Sequence, residues 1–133
     1  MTAFEERLWR LGMQRYHHEH PFHVLMHEGQ LTQTQLQQWV LNRYYYQTRI
    51  PIKDALILSK SEDPVFRRMW VRRLHDQDGD EQTVGGLALW WRLAHAVGIP
   101  ESTLQNMPSL VLPGVPFACD AYVALVREAP LLE

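Results

Sequence analysis

Five of the seven histidines of this 133-residue chain fall between His17 and His27, in the run Tyr16-His17-His18-Glu19-His20-Pro21-Phe22-His23 and on to His27. An imidazole titrates near neutrality, so a Tyr16–His17 pair at the mouth of a pocket is suited to moving protons. His23 and His27 are four apart, share one side of a short helix, and in that spacing chelate zinc or iron when further ligands are supplied. The Glu-x-x-His pairs of di-iron bundles are missing, since neither His20 nor His23 has a carboxylate three residues upstream. The competing reading is a polar corner between helices, with histidines capping helix ends.

A second constellation is Arg43-Tyr44-Tyr45-Tyr46-Gln47, continued by Ile50-Pro51-Ile52-Lys53-Asp54. Arg43 and Gln47 stack on one helical face that begins with Leu36 and Trp39, which puts Arg43 on or beside a buried stripe. A buried guanidinium needs a partner. Either a structural carboxylate such as Asp54 or Asp76 or an anionic ligand serves, and spacing does not choose between them. Arg73 and Gln77 repeat this spacing within the run Arg67-Arg68, Arg72-Arg73, whose usual meaning is a solvated face. Asp76-Gln77-Asp78-Gly79-Asp80 resembles the start of a calcium loop, but Leu87 stands where an EF-hand needs its closing glutamate. Cys119, next to Ala118, reads as a small core residue rather than a nucleophile.

The elements that must position these groups read as helices throughout. Thr2 and Glu5 form a capping box for a first helix, with Phe4, Leu8 and Leu11 at helical spacing as far as about Arg15. Phe22 to His27 make a short helix closed by Gly29. Thr32 and Gln35 cap a long helix carrying Leu36, Trp39, Val40 and Arg43, which Pro51 should kink or break. Asp63-Pro64 starts a helix with Phe66, Met69, Trp70 and Leu74 inward. Gly85-Gly86 precedes a helix with Leu87, Trp90, Trp91 and Leu93, ended by Gly98. A proline-rich loop follows, with one turn of helix near Thr103. Phe117, Ala121, Tyr122 and Leu125 mark a last helix stopped by Pro130. The fold class is all-α, as one helical domain over residues 1–133.

Composition sets the bounds. Hydrophobic residues at 46% and charged residues at 21% describe a globular chain rather than a disordered one. A net charge of −2 argues against nucleic acid or an anionic membrane as partner. One cysteine excludes an internal disulfide and the Cys-based zinc patterns. No apolar run is long enough for a membrane span, and Glu5, Glu6, Arg7 and Arg10 interrupt any signal-peptide core, so a cytoplasmic location is expected.

Taken in order, Tyr16-His17, His20-Pro21-Phe22-His23, Trp39 through Gln47, Ile50 through Ala55, Arg72-Arg73, Asp78-Gly79, Leu112-Pro113-Gly114-Val115 and Asp120-Ala121-Tyr122 closely resemble the pyrroloquinoline-quinone (PQQ) synthase family. The resemblance implies the N-terminal portion of a heme-oxygenase-like helical bundle that binds no heme, usually as a homodimer. It implies the last step of PQQ formation: ring closure and oxidation of a bicyclic tricarboxylic precursor by O2, with H2O2 released and no metal or organic cofactor. By motif, Tyr16, His17 and Tyr122 would be catalytic, and Arg43, Gln47, Lys53, Arg73 and Gln77 would bind substrate. The resemblance thus favours a ligand for Arg43. Where the family has Asp-His-Asp-Gly, this chain has Asp76-Gln77-Asp78-Gly79, and Gln77 cannot titrate, so the proton step served there should be slowed or lost. Family members are also considerably longer, so helices forming a second pocket wall are expected to be missing, which favours a dimer or a completing partner. The alternatives are a truncated ligand-binding or interaction protein without turnover, and a metal-dependent oxidase using His23 and His27.

Overall fold

The computed structural model describes residues 1–131, which are helical or loop, with no strand among them. The chain forms two compact units, Met1–Thr34 and a second from Gln35 onward.

In the first unit, α1 spans Ala3–Arg15. Its capping box is formed as expected: Thr2 Oγ1 accepts from the Glu5 amide at 3.2 Å and the Glu5 carboxylate accepts from the Thr2 amide at 2.5 Å. These bonds satisfy donors that the first helical turn leaves open. A 3₁₀ turn at His17–Glu19 leads to α2, Pro21–His27. Here His20 Nδ1 accepts from the Phe22 amide at 3.2 Å and Pro21 occupies the first turn, where its missing N–H costs nothing. No residue of α1, the turn or α2 is buried. The apolar positions Phe4, Leu8 and Leu11 are all exposed.

α3, Gln33–Leu58, runs into the second unit and is the element around which that unit is built. It continues through Pro51 without a break. Val40, Leu41 and Tyr45 of α3 join Ala94 of α5 (Gly85–Ala96), Leu104 of α6 (Glu101–Gln105) and Cys119 of α7 (Gly114–Glu128) in one core. Trp39 packs on Trp90 and Tyr44 on Trp91, with ring centroids 5.6 and 5.9 Å apart. Cys119 is therefore the core thiol its setting suggested, and burial, with Asp120 beside it, pushes its ionisation up.

α4, Pro64–Asp78, starts at the expected cap: Asp63 accepts from the Val65 and Phe66 amides at 2.9 and 3.3 Å. The inward face differs from expectation. Met69 is 60% exposed and no residue of α4 is buried. The half-buried line is Phe66, Trp70 and Leu74, with Gln77 beyond, so Met69 is rotated off it.

α7 also turns away from its expected face. Cys119 and Val123, one turn apart, are buried, whereas Phe117, Tyr122 and Leu125 are exposed. The two smaller side chains let this helix approach the core closely, and the larger ones lie on other faces.

Between α4 and α5 the backbone doubles back on itself. Gly79 and Gly85 have φ of 86° and 74°, and a Cβ on Gly85 would stand 2.3 Å from the Gly79 nitrogen. Only glycine fits that crossing.

Candidate functional site

The histidine corner lies wholly in the first unit. The Tyr16 and His17 rings are 4.4 Å apart, and His17 meets His23 edge-on at 4.9 Å. His23 and His27 bring their Nε2 atoms to 2.8 Å, so one ring donates a proton and the other accepts it. Partial burial, then the neighbouring His27, His17 and His18 imidazoles, hold His23 below the ordinary histidine value. Among the described residues no group of three His, Cys, Asp or Glu side chains is gathered to hold a metal ion. His20 does cap a helix, as the plain reading of the corner has it.

In the second unit, Arg43 takes the second of its two expected placements, beside the buried stripe rather than on it. It is exposed, and its guanidinium lies 4.5 Å from the centre of the Tyr46 ring. The buried stripe passes beside it, through Val40, Leu41, Tyr45 and Gln47. Arg43 instead edges a groove of about 350 Å³ with Trp39, Asn42, Tyr46, Val115, Ala118 and Cys119 along it. The charge is free to meet solvent or a ligand there.

Neither Asp54 nor Asp76 pairs with Arg43 among the described residues. Asp54, fully buried on α3, takes two other cations: Lys53 Nζ at 2.8 Å and Arg73 Nε of α4 at 3.2 Å. Lys53 is itself buried, at 6% exposure, whereas half of the Arg73 side chain is open. The Arg73 guanidinium also lies 5.0 Å from the Trp70 ring. Gln47, buried on the same helix as Lys53, leaves its Oε1 without a hydrogen bond. Gln77, one turn beyond Arg73, does the same, packed where a Cβ on Gly86 would come within 3.0 Å of its Oε1. Unpaired acceptors of this kind are unusual inside a protein, where nearly all buried polar atoms are paired.

The site residues expected from sequence thus fall into three groups. Lys53 and Arg73 share one carboxylate; Gln47 and Gln77 are buried acceptors on the same two helices; Arg43 stands at its own groove. Tyr16 and His17 belong to the histidine corner, and Tyr122 is exposed on α7. Sequence reasoning named Asp54 as a carboxylate partner but offered it to Arg43, whereas it takes Lys53 and Arg73. That reasoning missed a network in which Tyr45 donates to both Asp120 oxygens, at 2.9 and 3.0 Å, under the Arg49 guanidinium. Burial, then the bond to Asp120, pushes the Tyr45 hydroxyl's ionisation up.

The chain is 51% identical over 131 residues to the pyrroloquinoline-quinone synthase of Rhizobium meliloti (strain 1021), covering 98% of this chain and 51% of that protein. It is 50% identical to the synthase of Rhizobium rhizogenes, over 98% of this chain and 53% of that protein, and 49% identical to that of Granulibacter bethesdensis, over 97% and 50%. The chain spans about half the length of the curated relatives it matches. The model of the TENA/THI-4/PQQC family, whose fold is a heme-oxygenase-like arrangement of helices, matches residues 7–133. With its helical elements and this match over nearly its whole length, the chain belongs to the TENA/THI-4/PQQC family.

Proposed function

We propose that this chain acts in PQQ biosynthesis, in the closing oxidation of a bicyclic tricarboxylic precursor to the quinone. The observation that carries this reading is a partly open cationic cluster, Lys53 and Arg73 on Asp54, in a chain half identical to proteins named pyrroloquinoline-quinone synthase. A tricarboxylate needs several fixed cations, and guanidinium and ammonium donors bind carboxylates with charge-assisted hydrogen bonds. Arg43, Lys53 and Arg73 supply them, and Gln47 and Gln77 offer acceptors for ring N–H groups. Tyr16, His17 and Tyr122 take up and return protons as the ring system is oxidised. Each O2 that accepts two electrons and two protons from the substrate leaves as H2O2, with neither metal nor organic cofactor. The chain works as a homodimer in the cytoplasm, its partners being the precursor and O2 rather than nucleic acid or membrane.

Gln77 favours a second reading. An amide cannot carry a proton, so the same residues on this chain would bind the ligand without turning it over.

Purified chain mixed with the precursor in air tests both. Quinone absorbance rising together with peroxide supports the synthase; PQQ binding without either product supports the binding protein. In the same preparation Arg43→Ala is expected to weaken PQQ binding about tenfold, the size of one charge-assisted contact. Unchanged affinity would return Arg43 to a structural role.

A further inference from the structure

We infer that Asp54 is a positioning residue, which holds Lys53 and turns Arg73 so that their remaining donors face a carboxylate ligand. The inference rests on the reading of this site as one for a tricarboxylate.

The geometry argues for orientation rather than simple neutralisation. Arg73 donates through Nε, so its terminal Nη edge, the end of the side chain that binds a carboxylate as a fork, is left unused by Asp54. Half of that side chain is open to solvent, and the Trp70 ring beside it restricts its swing. Lys53 carries three N–H donors, and Asp54 is the sole carboxylate paired with it among the described residues. Both cations use Oδ1 alone, and the buried Oδ2 has no hydrogen-bond partner, so the carboxylate keeps one acceptor for a water or a ligand N–H. Two cations on one carboxylate leave the cluster with a surplus positive charge, the sign a carboxylate ligand requires.

The sign of one substitution separates positioning from charge. A carboxylate near an anion site repels the anion, so on charge alone Asp54→Asn should tighten binding of PQQ. If Asp54 positions the cations, the same change frees Arg73 and leaves Lys53 buried without its counter-ion, and PQQ binding weakens about tenfold or more. The probes are PQQ and its trimethyl ester, which keeps the ring system but offers no carboxylate. The expected result is a folded Asp54→Asn chain with weaker PQQ binding and unchanged ester binding, partly restored in Asp54→Glu. Tighter or unaltered PQQ binding overturns the inference, as does an equal loss for the ester. Should Asp54→Asn not fold, Arg73→Lys keeps the charge while removing the Nε donor. It is expected to lose PQQ affinity as Arg73→Ala does, and wild-type affinity in it overturns the inference. Failure of the unaltered chain to bind PQQ overturns the tricarboxylate reading itself, and the inference with it.

Discussion

His23 is the titrating group whose surroundings predict a measurable response. Its folded value lies below the ordinary 6.5, chiefly through partial burial and then through His27, His17 and His18. Between the folded value and 6.5 the unfolded chain therefore holds more protons, and stability rises with pH across that window. Local stability is intact above 6.5 and falls as acidification passes through the folded value. Proton NMR should give His23 a midpoint below 6.5, moving up in His27→Gln because one positive neighbour is gone. A midpoint at the ordinary value in the intact chain would remove the coupling. Asp54 makes the complementary case at the same scale, since Asp54→Ala strands a buried lysine, at a cost of about 3–5 kcal/mol.

Among the elements, the turn joining α4 to α5 is where backbone geometry dominates. A Cβ at Gly85 meets the Gly79 backbone, and its φ of 74° is itself unfavourable for other residues. Gly85→Ala should lose about 3 kcal/mol or more, read as a drop in the urea midpoint. Gly114, first in α7, has nothing within 4 Å of its Cβ position. Gly114→Ala is expected to be neutral or to gain up to about 1 kcal/mol from helix propensity. Equal losses in the two variants would mean that the crossing is not the cause. The same turn is tied by Asp80, whose carboxylate accepts from the Gln82 and Thr83 amides at 2.8 and 2.9 Å. Those bonds, both to Oδ1, hold its ionisation below the usual carboxylate range.

For the whole molecule, the proposed homodimer has a direct test. Phe117 is 79% and Leu125 62% exposed on α7, apolar surface that a second copy would cover. Sedimentation equilibrium should return twice the 15.7 kDa monomer mass. Phe117→Lys with Leu125→Lys should return the monomer mass, with the thermal transition unchanged. A wild-type chain that sediments as a monomer at micromolar concentration removes the homodimer. Among the described residues no helix is long and apolar enough to cross a membrane.

Local sequence placed the helices and most of their ends, though not the uninterrupted course of α3 through Pro51. Thr2, Asp63, Pro64 and Gly98 act through bonds and dihedral limits within a few residues of themselves, so their effects are legible without the rest of the chain. The colinear motifs likewise carried the family. Packing in three dimensions chose which face of each helix is buried and which charge meets which. Met69 and Phe117 fit the helical period of apolar positions yet are exposed, because burial depends on what packs opposite, not on period. Arg43 and Asp54 lie on one helix, but Asp54 took Arg73 from the next. A buried carboxylate binds whichever cation the packing brings within about 3–4 Å, and a separation of nineteen positions leaves no trace of that choice in local sequence.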